Sequence, residues 1–438
     1  MILRDPVHGL VTFESDEVEI IPTLLATREV QRLRRIRQLG LASYAYPGAD
    51  HTRFSHALGT AHVMTRYLRR LRDIDQELPY WQRVTTENAR DAVAASLLHD
   101  VGHGPFSHLF EDAIPEGPSH EEWSARLVMY PDGELHRLLS SYDTSLPERV
   151  VGLIRGKHRL SYLSSAVSGT FDVDRCDYLL RDAHFTGVSY GAFDLDWLLR
   201  SLRFGHTGGD GPAPPIAIDG SKGLPAIESF IMARLFMFQQ VYFHKATRAA
   251  DWMMRQVLGR VRELVLDGTR VGSVPPAMVS LLRDGDTTCA EYLEIDDIAL
   301  LAAMSEWRHC SDPYLSEMST RLHERKLYKT YELHGSQRDQ GPELLQIAQD
   351  IASSQGFDAE RHVGLDEASD TPYDEEDSPL RVVFPSHSPR RPSQVSFILG
   401  RLSGEKLRRV RLIFPPSLRD EIEKAVASTT LASSSAAT

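Results

Sequence analysis

Apolar side chains recur at intervals of three and four residues through the first 200 positions, the spacing that lines one face of a helix. This spacing predicts helices over residues 30–41, 57–71, 89–98 and 123–129. Ser119 with Glu122 matches the capping-box pattern, so the last of these helices is expected to begin at His120. Strand-like alternation is scarce in this part of the chain, which favours a mainly α fold with a helical core.

The pattern becomes mixed further along the chain. A stretch rich in Gly and Pro over residues 206–215 interrupts the helical spacing, and residues 216–218 follow as a short strand candidate. A long helix is predicted over residues 226–266, and residues 327–333 are expected to begin a strand. Apolar and basic residues alternate on either side of Gly404, which predicts two more strands before a short terminal helix. We therefore expect a smaller, mixed α+β C-terminal region beside the helical core.

These changes divide the chain into four predicted parts. Residues 1–273 form a helical domain, and residues 274–365 form a further helical region expected to serve oligomerisation. Residues 366–394 are rich in Asp, Glu, Ser and Pro without periodicity, which predicts a disordered linker. Residues 395–438 form a short α+β element that ends in a disordered Ser/Ala tail.

Composition and charge narrow the classes of function. The three cysteines, Cys176, Cys289 and Cys310, are too scattered for a zinc site or a disulfide framework, so a cytoplasmic location is expected. No apolar run approaches the length of about eighteen residues that a membrane span needs, and the N-terminus lacks a signal-peptide pattern. A net charge of −12 argues against nucleic acid as a partner, so an anionic ligand would need a local positive pocket or a bound divalent cation.

The strongest chemical signal is the segment HDVGHGPFSH over residues 99–108, preceded by RFSH over residues 53–56 and followed by DVDRCDYLLRD over residues 172–182. Each fragment alone is weak, but in this order they supply two imidazoles and two carboxylates from three separate helices. Such a set leaves positions open on a six-coordinate divalent ion for water and a phosphate oxygen. His56 and His99 supply the imidazoles, Asp100 supplies one carboxylate, and the third fragment supplies the other.

This ordered set resembles the HD phosphohydrolase superfamily and, within it, the dNTP triphosphohydrolases. The resemblance extends over residues 5–245 through DPVHG, QRLRRIRQLG, RFSHALG, LLHDVGHGPFSHLFE, SHEEWS, DVDRCDYLLRD and VYFHK. It implies that residues 1–273 are a catalytic domain that hydrolyses deoxynucleoside triphosphates to deoxynucleoside and triphosphate. Vertebrate members also carry a sterile-alpha-motif domain, which we do not expect here because the HD region starts almost at once.

The resemblance assigns the reacting groups residue by residue. The candidate metal ligands would be His56, His99, Asp100 and Asp174, and they would bind a divalent ion, namely Mn, Fe, Mg, Co, Ni or Zn. His120 and Glu111 would be the proton-handling pair beside the scissile phosphate, although the vertebrate relative has Asp in place of Glu111. Arg53 would be a phosphate-binding arginine next to them, since guanidinium groups suit phosphate oxygens.

The remaining implied residues would contact the nucleotide. Phosphate would be bound by Arg175, which replaces a lysine, and by Arg234, in a pocket also lined by His103 and His108. The sugar would be approached by the following side chains: Gln38, Leu39 and Asp182 at the 3′-hydroxyl, Tyr178 on the same helical face as Asp182, and Tyr242 against the 2′ carbon, which would favour deoxyribose.

A regulatory nucleotide site is the weakest part of the resemblance. Gln31 and Arg34 match the pattern of an activator site, within a basic run that is otherwise typical of a solvated helix face. Ala26 stands where the family has the acidic residue that binds guanine. Activation by a guanine nucleotide is therefore not predicted, although another nucleotide could regulate a homo-oligomer, expected to be a dimer or tetramer.

Two other functions stay open at the level of sequence. The same metal site could serve a phosphodiesterase or nuclease that acts on RNA or cyclic nucleotides, because related sites cleave several phosphate esters. The chain could also be a nucleotide-sensing oligomer whose catalytic site is silent. The identity of the phosphate product separates these alternatives.

Overall fold

The computed structural model describes residues 1–114, 116–205, 212–269, 271–272, 274–376, 380–385 and 387–436. Most of the Gly- and Pro-rich stretch expected at residues 206–215 lies outside these ranges. None of the helices within them combines the length and the apolar content needed to cross a lipid bilayer.

Helices make up most of the described chain, which confirms the mainly α fold class. The α-helices of the N-terminal half are α1 (Ile20–Leu25), α2 (Arg28–Arg32), α3 (Arg53–Ile74), α4 (Thr86–Leu98), α5 (His108–Asp112), α6 (His120–Met129), α7 (Glu134–Tyr142), α8 (Leu146–Ile154), α9 (Ser161–Val167), α10 (Val173–Thr186) and α11 (Leu195–Arg200). Those that follow are α12 (Leu224–Met237), α13 (Lys245–Leu266), α14 (Pro276–Asp284), α15 (Cys289–Tyr292), α16 (Asp297–Trp307), α17 (Pro313–His323), α18 (Gly341–Ser354), α19 (Ala359–His362), α20 (Phe397–Leu402) and α21 (Arg419–Ala436).

The core forms around α3, which packs against both α4 and α10. Ala57, Ala61, Met64 and Leu68 recur at helical spacing along α3, and all four are buried. The α4 face is built largely of alanines, which lets the two helix backbones approach closely. His56 lies on α3, Asp174 lies on α10, and His99 and Asp100 directly follow α4, so the packing of the core sets the geometry of the site.

Three of the predicted helices are confirmed. Residues 57–71, 89–98 and 123–129 lie inside α3, α4 and α6. The start of α6 is also as expected, because the Ser119 hydroxyl accepts a hydrogen bond from the Glu122 backbone N–H. The Glu122 carboxylate instead pairs with Arg126 and Arg155.

The predicted helix over residues 30–41 is wrong. After α2 the chain tightens into a 3-10 turn and then extends, so that backbone hydrogen bonds join Gln38 to His51 and Arg53 to Ile36. A second 3-10 turn, Gly40–Tyr44, begins at a glycine with φ of 51°, a backbone conformation that a continuous helix cannot include. Long-range pairing with the start of α3 therefore outweighs the local helical pattern.

The long helix predicted over residues 226–266 is interrupted. α12 ends in a π-helical turn, Phe238–Tyr242, and α13 begins after His244, whose ring accepts a hydrogen bond from the Ala246 backbone N–H. The turn brings the Tyr242 hydroxyl within 2.8 Å of Asp182. The break in the helix thus places the Tyr242 side chain beside Asp182, and π-helical turns are frequent at functional sites.

Strands form three small sheets. A hairpin of β1 (Ile2–Asp5) and β2 (Gly9–Thr12) was not predicted, whereas β4 (Ile216–Asp219) and β5 (Lys329–Leu333) confirm the expected strands. The second sheet has the order β3-β4-β7-β8, with β3 (Leu202–Phe204), β7 (Arg381–Phe384) and β8 (His387–Arg390). The third has the antiparallel order β5-β9-β6, with β6 (Gly364–Asp370) and the predicted β9 (Leu407–Phe414).

The prediction of a disordered linker over residues 366–394 is wrong for the described residues, which include most of β6 and all of β7 and β8. The acidic side chains that suggested disorder are used in ion pairs with the helical core. Asp366 pairs with Arg248 of α13, and Asp370 pairs with Arg234 of α12. Composition alone could not show partners more than 100 residues away in sequence.

The C-terminal element differs in part from expectation. The first of the two strands predicted around Gly404 is instead the helix α20, and the second is β9. The last helix continues to Ala436, further into the Ser/Ala tail than expected. β9 and its neighbours bury a separate small core with α18 and α21, centred on Leu344, Leu412 and Ile422.

Candidate active site

The four candidate metal ligands meet between α3, α4 and α10. His56 Nε2 lies 3.0 Å from an oxygen of Asp174, and His99 Nε2 lies 3.5 Å from the same oxygen. Asp100 completes the group, with oxygens 3.7 Å from His56 Nε2 and 3.4 Å from His99 Nε2. Groups distant in sequence therefore form one compact cluster, as the motif spacing predicts.

The histidine rings are oriented by hydrogen bonds on their far side. His56 Nδ1 lies 2.8 Å from Asp177, and His99 Nδ1 lies 2.9 Å from the Ser96 carbonyl oxygen. Each Nε2 atom is buried and has no hydrogen-bond partner in the described part of the chain. A ring held through Nδ1, with Nε2 free beside carboxylates, is the usual arrangement of a metal-binding histidine, so these residues fit a divalent cation.

The charge of the cluster also suits a cation. Burial alone would lower the pKa of His56, but the carboxylates of Asp174 and Asp177 outweigh it and raise the pKa to about 10. Burial likewise opposes ionisation of Asp174, yet His56 and His99 hold its pKa below the ordinary value. The cluster therefore stabilises positive charge strongly, even though it is buried.

Asp177 is a supporting residue for which the sequence analysis proposed no role. It pairs with Arg181 one helical turn later, and Arg181 in turn pairs with Asp5 at 2.8 Å. His8 Nε2 lies 2.6 Å from the other Asp177 oxygen. The DPVHG segment of the N-terminal hairpin thus holds the carboxylate of Asp177, which orients His56. In the sequence, this role was signalled only by the occurrence of DPVHG among the motifs of the family resemblance.

The loop after His99 adopts a strained backbone. Phe106 and Ser107 have φ of 51° and 58°, values that are uncommon for residues other than glycine. The Phe106 N–H donates to Asp297 of α16 at 2.8 Å, and Arg53 donates to the Ser107 hydroxyl at 2.8 Å. Arg53 also pairs with Asp100. The strain is held by contacts from distant elements and places Arg53 directly beside the candidate ligands.

His120 and Glu111 lie next to this loop. Glu111 is 3.0 Å from His120 Nδ1, and the ring of His120 stacks on that of His103 with centroids 3.9 Å apart. Burial would raise the pKa of Glu111, but the imidazoles of His108 and His120 lower it, so the carboxylate is ionised at neutral pH. The start of α6 can lie this close to the loop only because residue 102 is a glycine, since a Cβ atom there would lie 2.3 Å from the His120 carbonyl oxygen.

A cavity of about 260 Å³ adjoins Arg53. Five of the predicted residues line it: Gln38, Leu39, Arg53, His108 and Tyr242. The Tyr242 hydroxyl donates to Asp182, whose other oxygen is 2.8 Å from the buried ring of His51. Tyr178 packs edge-on against Tyr242 at 6.3 Å. The residues expected at the sugar are therefore together, with His51 as an addition that the sequence analysis missed.

Arg175 and Arg234 lie elsewhere. They line a second cavity of about 370 Å³ with Asp374. Arg175 pairs with Asp172 at 2.7 Å, and Arg234 pairs with Asp370 at 3.1 Å. Both arginines are thus neutralised within the chain, and neither borders the cavity beside Arg53.

Gln31 and Arg34 are on the surface, away from both cavities. The Gln31 side chain accepts a hydrogen bond from Arg34 at 2.9 Å and donates to the Leu25 carbonyl oxygen. Arg34 also stacks on the ring of Phe54 at 3.6 Å. The two residues contact each other, and their predicted regulatory role remains a prediction.

A cavity of about 570 Å³ was not anticipated from the sequence. Among the described residues its lining has no Asp or Glu, and its basic members are Lys245, Arg321, Arg325, Lys326, Lys329 and Arg419. The buried hydroxyl of Tyr328, also in the lining, has no hydrogen-bond partner within the described ranges. These residues are spread over α13, α17, β5 and the start of α21, so no local motif could have revealed them.

Comparison with known proteins agrees with this geometry. Residues 53–182 match the HD domain, and residues 193–270 match the HD associated region. The Bacillus subtilis protein YwfO is 31% identical over 425 residues, which are 95% of this chain and 92% of YwfO. A phosphohydrolase from Bacteroides thetaiotaomicron has a crystal structure that matches with a TM-score of 0.78 at 28% identity, covering 94% of this chain and 99% of that one. The chain belongs to the HD-domain phosphohydrolases.

A more distant group of relatives carries a named activity. The chicken protein named deoxynucleoside triphosphate triphosphohydrolase SAMHD1 is 28% identical over 364 residues, which are 75% of this chain. The chain spans 55% of the length of that relative.

Gly59 provides a test of the support for His56. A Cβ atom at Gly59 would lie 1.9 Å from an Asp177 oxygen and 2.4 Å from Arg181. We expect Gly59→Ala to lower the free energy of unfolding by about 2 to 4 kcal/mol, because it disrupts a buried ion pair. Denaturant titration measures this change, and elemental analysis should show reduced metal content in the purified variant.

Gly259 is the matched control for this substitution. It also lies within a long helix, α13, and a Cβ atom there would meet nothing within 4 Å. Gly259→Ala should leave metal content unchanged and raise stability by about 0.5 to 1 kcal/mol. Equal effects of the two substitutions would contradict the role given to the Asp177 network.

Proposed function

We propose that this protein is a metal-dependent hydrolase that converts deoxynucleoside triphosphates to deoxynucleoside and triphosphate. The observation that carries the proposal is the pair of free, buried Nε2 atoms of His56 and His99 beside two carboxylates and a cavity of nucleoside size. The named activity of the SAMHD1 relatives supports the choice of substrate.

His56, His99, Asp100 and Asp174 would hold the divalent cation. Two imidazoles and two carboxylates accept several first-row ions, so Mn, Fe, Mg, Co, Ni and Zn are all candidates. When bound, such a cation neutralises phosphate charge and lowers the pKa of a coordinated water molecule.

His120 is proposed to protonate the leaving oxygen of the nucleoside. The carboxylate of Glu111 holds Nδ1 of the ring, which leaves Nε2 available for the substrate. Arg53, fixed by Ser107 and Asp100, would bind charge that develops on the phosphate. Arg175 and Arg234 could contribute only after exchanging their carboxylate partners for phosphate.

The sugar is proposed to lie between Gln38, Leu39 and Tyr242. Asp182 would accept a hydrogen bond from the 3′-hydroxyl, since each of its oxygens has a second lone pair beyond those used by His51 and Tyr242. The Tyr242 ring, fixed by this bond, would exclude a 2′-hydroxyl. Deoxyribose is therefore preferred over ribose.

Product analysis tests the proposal. The purified protein, supplied with each candidate metal, should release inorganic triphosphate and deoxynucleoside from a dNTP, and a chelator should abolish the release. Shortened oligonucleotides from RNA, or a linear mononucleotide from a cyclic one, would instead establish the phosphodiesterase alternative. Absence of turnover with every nucleotide and metal would favour the third alternative, a nucleotide-sensing oligomer whose catalytic site is silent.

Substitution of His120 separates proton transfer from metal binding. We expect His120→Ala to lower kcat by about 10² to 10⁴, the usual contribution of a general acid, without changing metal content. His323→Ala is the control, because His323 is exposed at the end of α17. Unchanged turnover in the His120 variant, with metal still bound, would show that another group supplies the proton.

The proposal extends to regulation by a nucleotide. The basic cavity between α13, α17 and β5 is suited to a polyphosphate, because it gathers six basic side chains in a chain whose net charge is −12. Arg321, Lys326 and Arg419 pair with glutamates, whereas Lys245, Arg325 and Lys329 have no ion pair among the described residues. We propose this cavity as a regulatory site in addition to the one predicted at Gln31 and Arg34. A homo-oligomer, dimer or tetramer, is proposed to form through residues 274–365, where Ile298 and Leu301 expose apolar surface.

Charge reversal in this cavity tests the regulatory proposal. Lys329→Glu should raise the concentration of activating nucleotide needed for half-maximal response by about tenfold or more, the effect of losing one charged hydrogen bond. Lys424→Glu, an exposed position of α21 outside the cavity, should leave the response unchanged. If both variants respond as the parent protein does, the cavity does not bind the regulator.

A further inference from the structure

Part of the lining of the cavity beside Arg53 is polar and is not used by the proposed sugar contacts. This part, the polar end, is formed by Thr247, Arg248, Asp251 and Arg255 of α13, together with Asp112 of α5. None of these five residues belongs to the metal cluster or to the proposed sugar position, so they are available to a nucleobase.

Both arginines at this end already have acidic partners. Arg248 pairs with Asp366, and Arg255 donates to Asp112 at 2.9 Å through Nε. Asp251, between them on the same helix, has neither a hydrogen bond nor an ion pair within the described part of the chain. Burial raises its pKa to about 6 although both arginines oppose the shift. A partly buried carboxylate without a partner costs free energy unless a ligand donates to it.

Two more unpartnered polar atoms line the same cavity. The Thr247 side chain is 6% exposed, and its hydroxyl has no hydrogen-bond partner among the described residues. The Gln38 side-chain oxygen is buried and also unpartnered within those ranges. The Asp251 carboxylate and the Gln38 amide oxygen are acceptors, and the Thr247 hydroxyl can accept as well as donate, so the cavity suits a ligand with several hydrogen-bond donors.

We propose that Asp251 binds the base of the substrate and selects guanine. Guanine is the base whose N1–H and exocyclic amino group lie side by side, so both can donate to one carboxylate. Adenine, cytosine and thymine each offer a single donor on that edge beside an acceptor, which a carboxylate repels. The terminal N–H groups of Arg255, not used toward Asp112, can donate to guanine O6.

This inference rests on the proposed function and adds a base preference to it. The pairing of a carboxylate with two N–H donors is geometrically specific, and a bidentate contact of this kind discriminates between bases by about tenfold or more. dGTP should therefore be the preferred substrate. Deoxyinosine triphosphate, which lacks only the exocyclic amino group, should lose the preference.

Internal competition measures the preference directly. The full-length protein is incubated with an equimolar mixture of dGTP, dITP, dATP, dCTP and dTTP, and the deoxynucleoside products are separated by chromatography. The ratio of product rates equals the ratio of kcat/KM values, and any activating nucleotide affects all substrates alike. We expect dGTP to be consumed about tenfold or more faster than dITP; a ratio near one would overturn the proposal without any variant.

Asp251→Asn and Asp251→Ala supply the second measurement. Both should bring the dGTP to dITP ratio close to one, while the ratios among dATP, dCTP and dTTP stay as in the parent protein. Glu263→Gln is the matched control, because Glu263 lies three turns further along α13 and pairs with Arg361 away from the cavity. A dGTP to dITP ratio that survives both Asp251 substitutions would also overturn the assignment.

The outcomes distinguish this inference from the proposed function. If no dNTP in the mixture yields triphosphate, the proposed function fails. If all are cleaved at similar rates, the function stands and the role of Asp251 fails. Asp251→Ala removes the carboxylate without leaving an amide, so agreement between the two variants excludes an effect of the asparagine side chain itself.

Discussion

The contact on which the site depends is the hydrogen bond between His56 Nδ1 and the buried carboxylate of Asp177. It turns Nε2 of the same ring toward His99, Asp100 and Asp174, so that three helices present their polar groups to one point. The cost of burying Asp177 is offset by Arg181 and His8. Because α3 has a glycine where these groups approach, the polar network fits inside an otherwise apolar core.

Around that point the structure combines rigid and strained parts. His56 and Asp174 lie within the helices α3 and α10, whereas His99 and Asp100 follow the end of α4 and lead into a loop whose backbone is held in an unfavourable conformation. Asp297, far along the chain, stabilises that loop by accepting from two backbone N–H groups, those of Arg37 and Phe106. A residue of the C-terminal region therefore also helps to fix the geometry of the site.

Much of this site could be predicted because its ligands sit in short motifs whose order is specific. His56, His99 and Asp100 follow from the order of the fragments and the chemistry of a divalent ion, whereas the choice of Asp174 among the carboxylates of residues 172–182 came from the family resemblance. Helix periodicity located α3, α4 and α6, since their apolar faces are continuous. The helix expected at residues 30–41 failed because backbone pairing with residues 51–53 is invisible to local spacing.

The residues that escaped prediction share a physical reason. Asp251, His51 and the basic residues of the large cavity acquire a role only through neighbours distant in sequence. The acidic composition of residues 366–394 indicated disorder, yet Asp366 and Asp370 meet arginines of the helical core. From the sequence alone, acidic side chains are expected to be solvated because their partners are unknown. In the folded chain, arginines of the helical core are the partners of Asp366 and Asp370.

The ion pairs of strand β6 affect the order in which the chain folds during synthesis. Its contacts with Arg248 and Arg234 close sequence separations of 118 and 136 residues, so they form late during synthesis from the ribosome. Until β6 emerges, both arginines lack these counterions, and one of them, Arg248, lines the cavity beside Arg53. His56, His99, Asp100 and Asp174 all precede β6 in the chain, so a nascent chain contains its candidate metal ligands well before the charge of Arg248 is balanced.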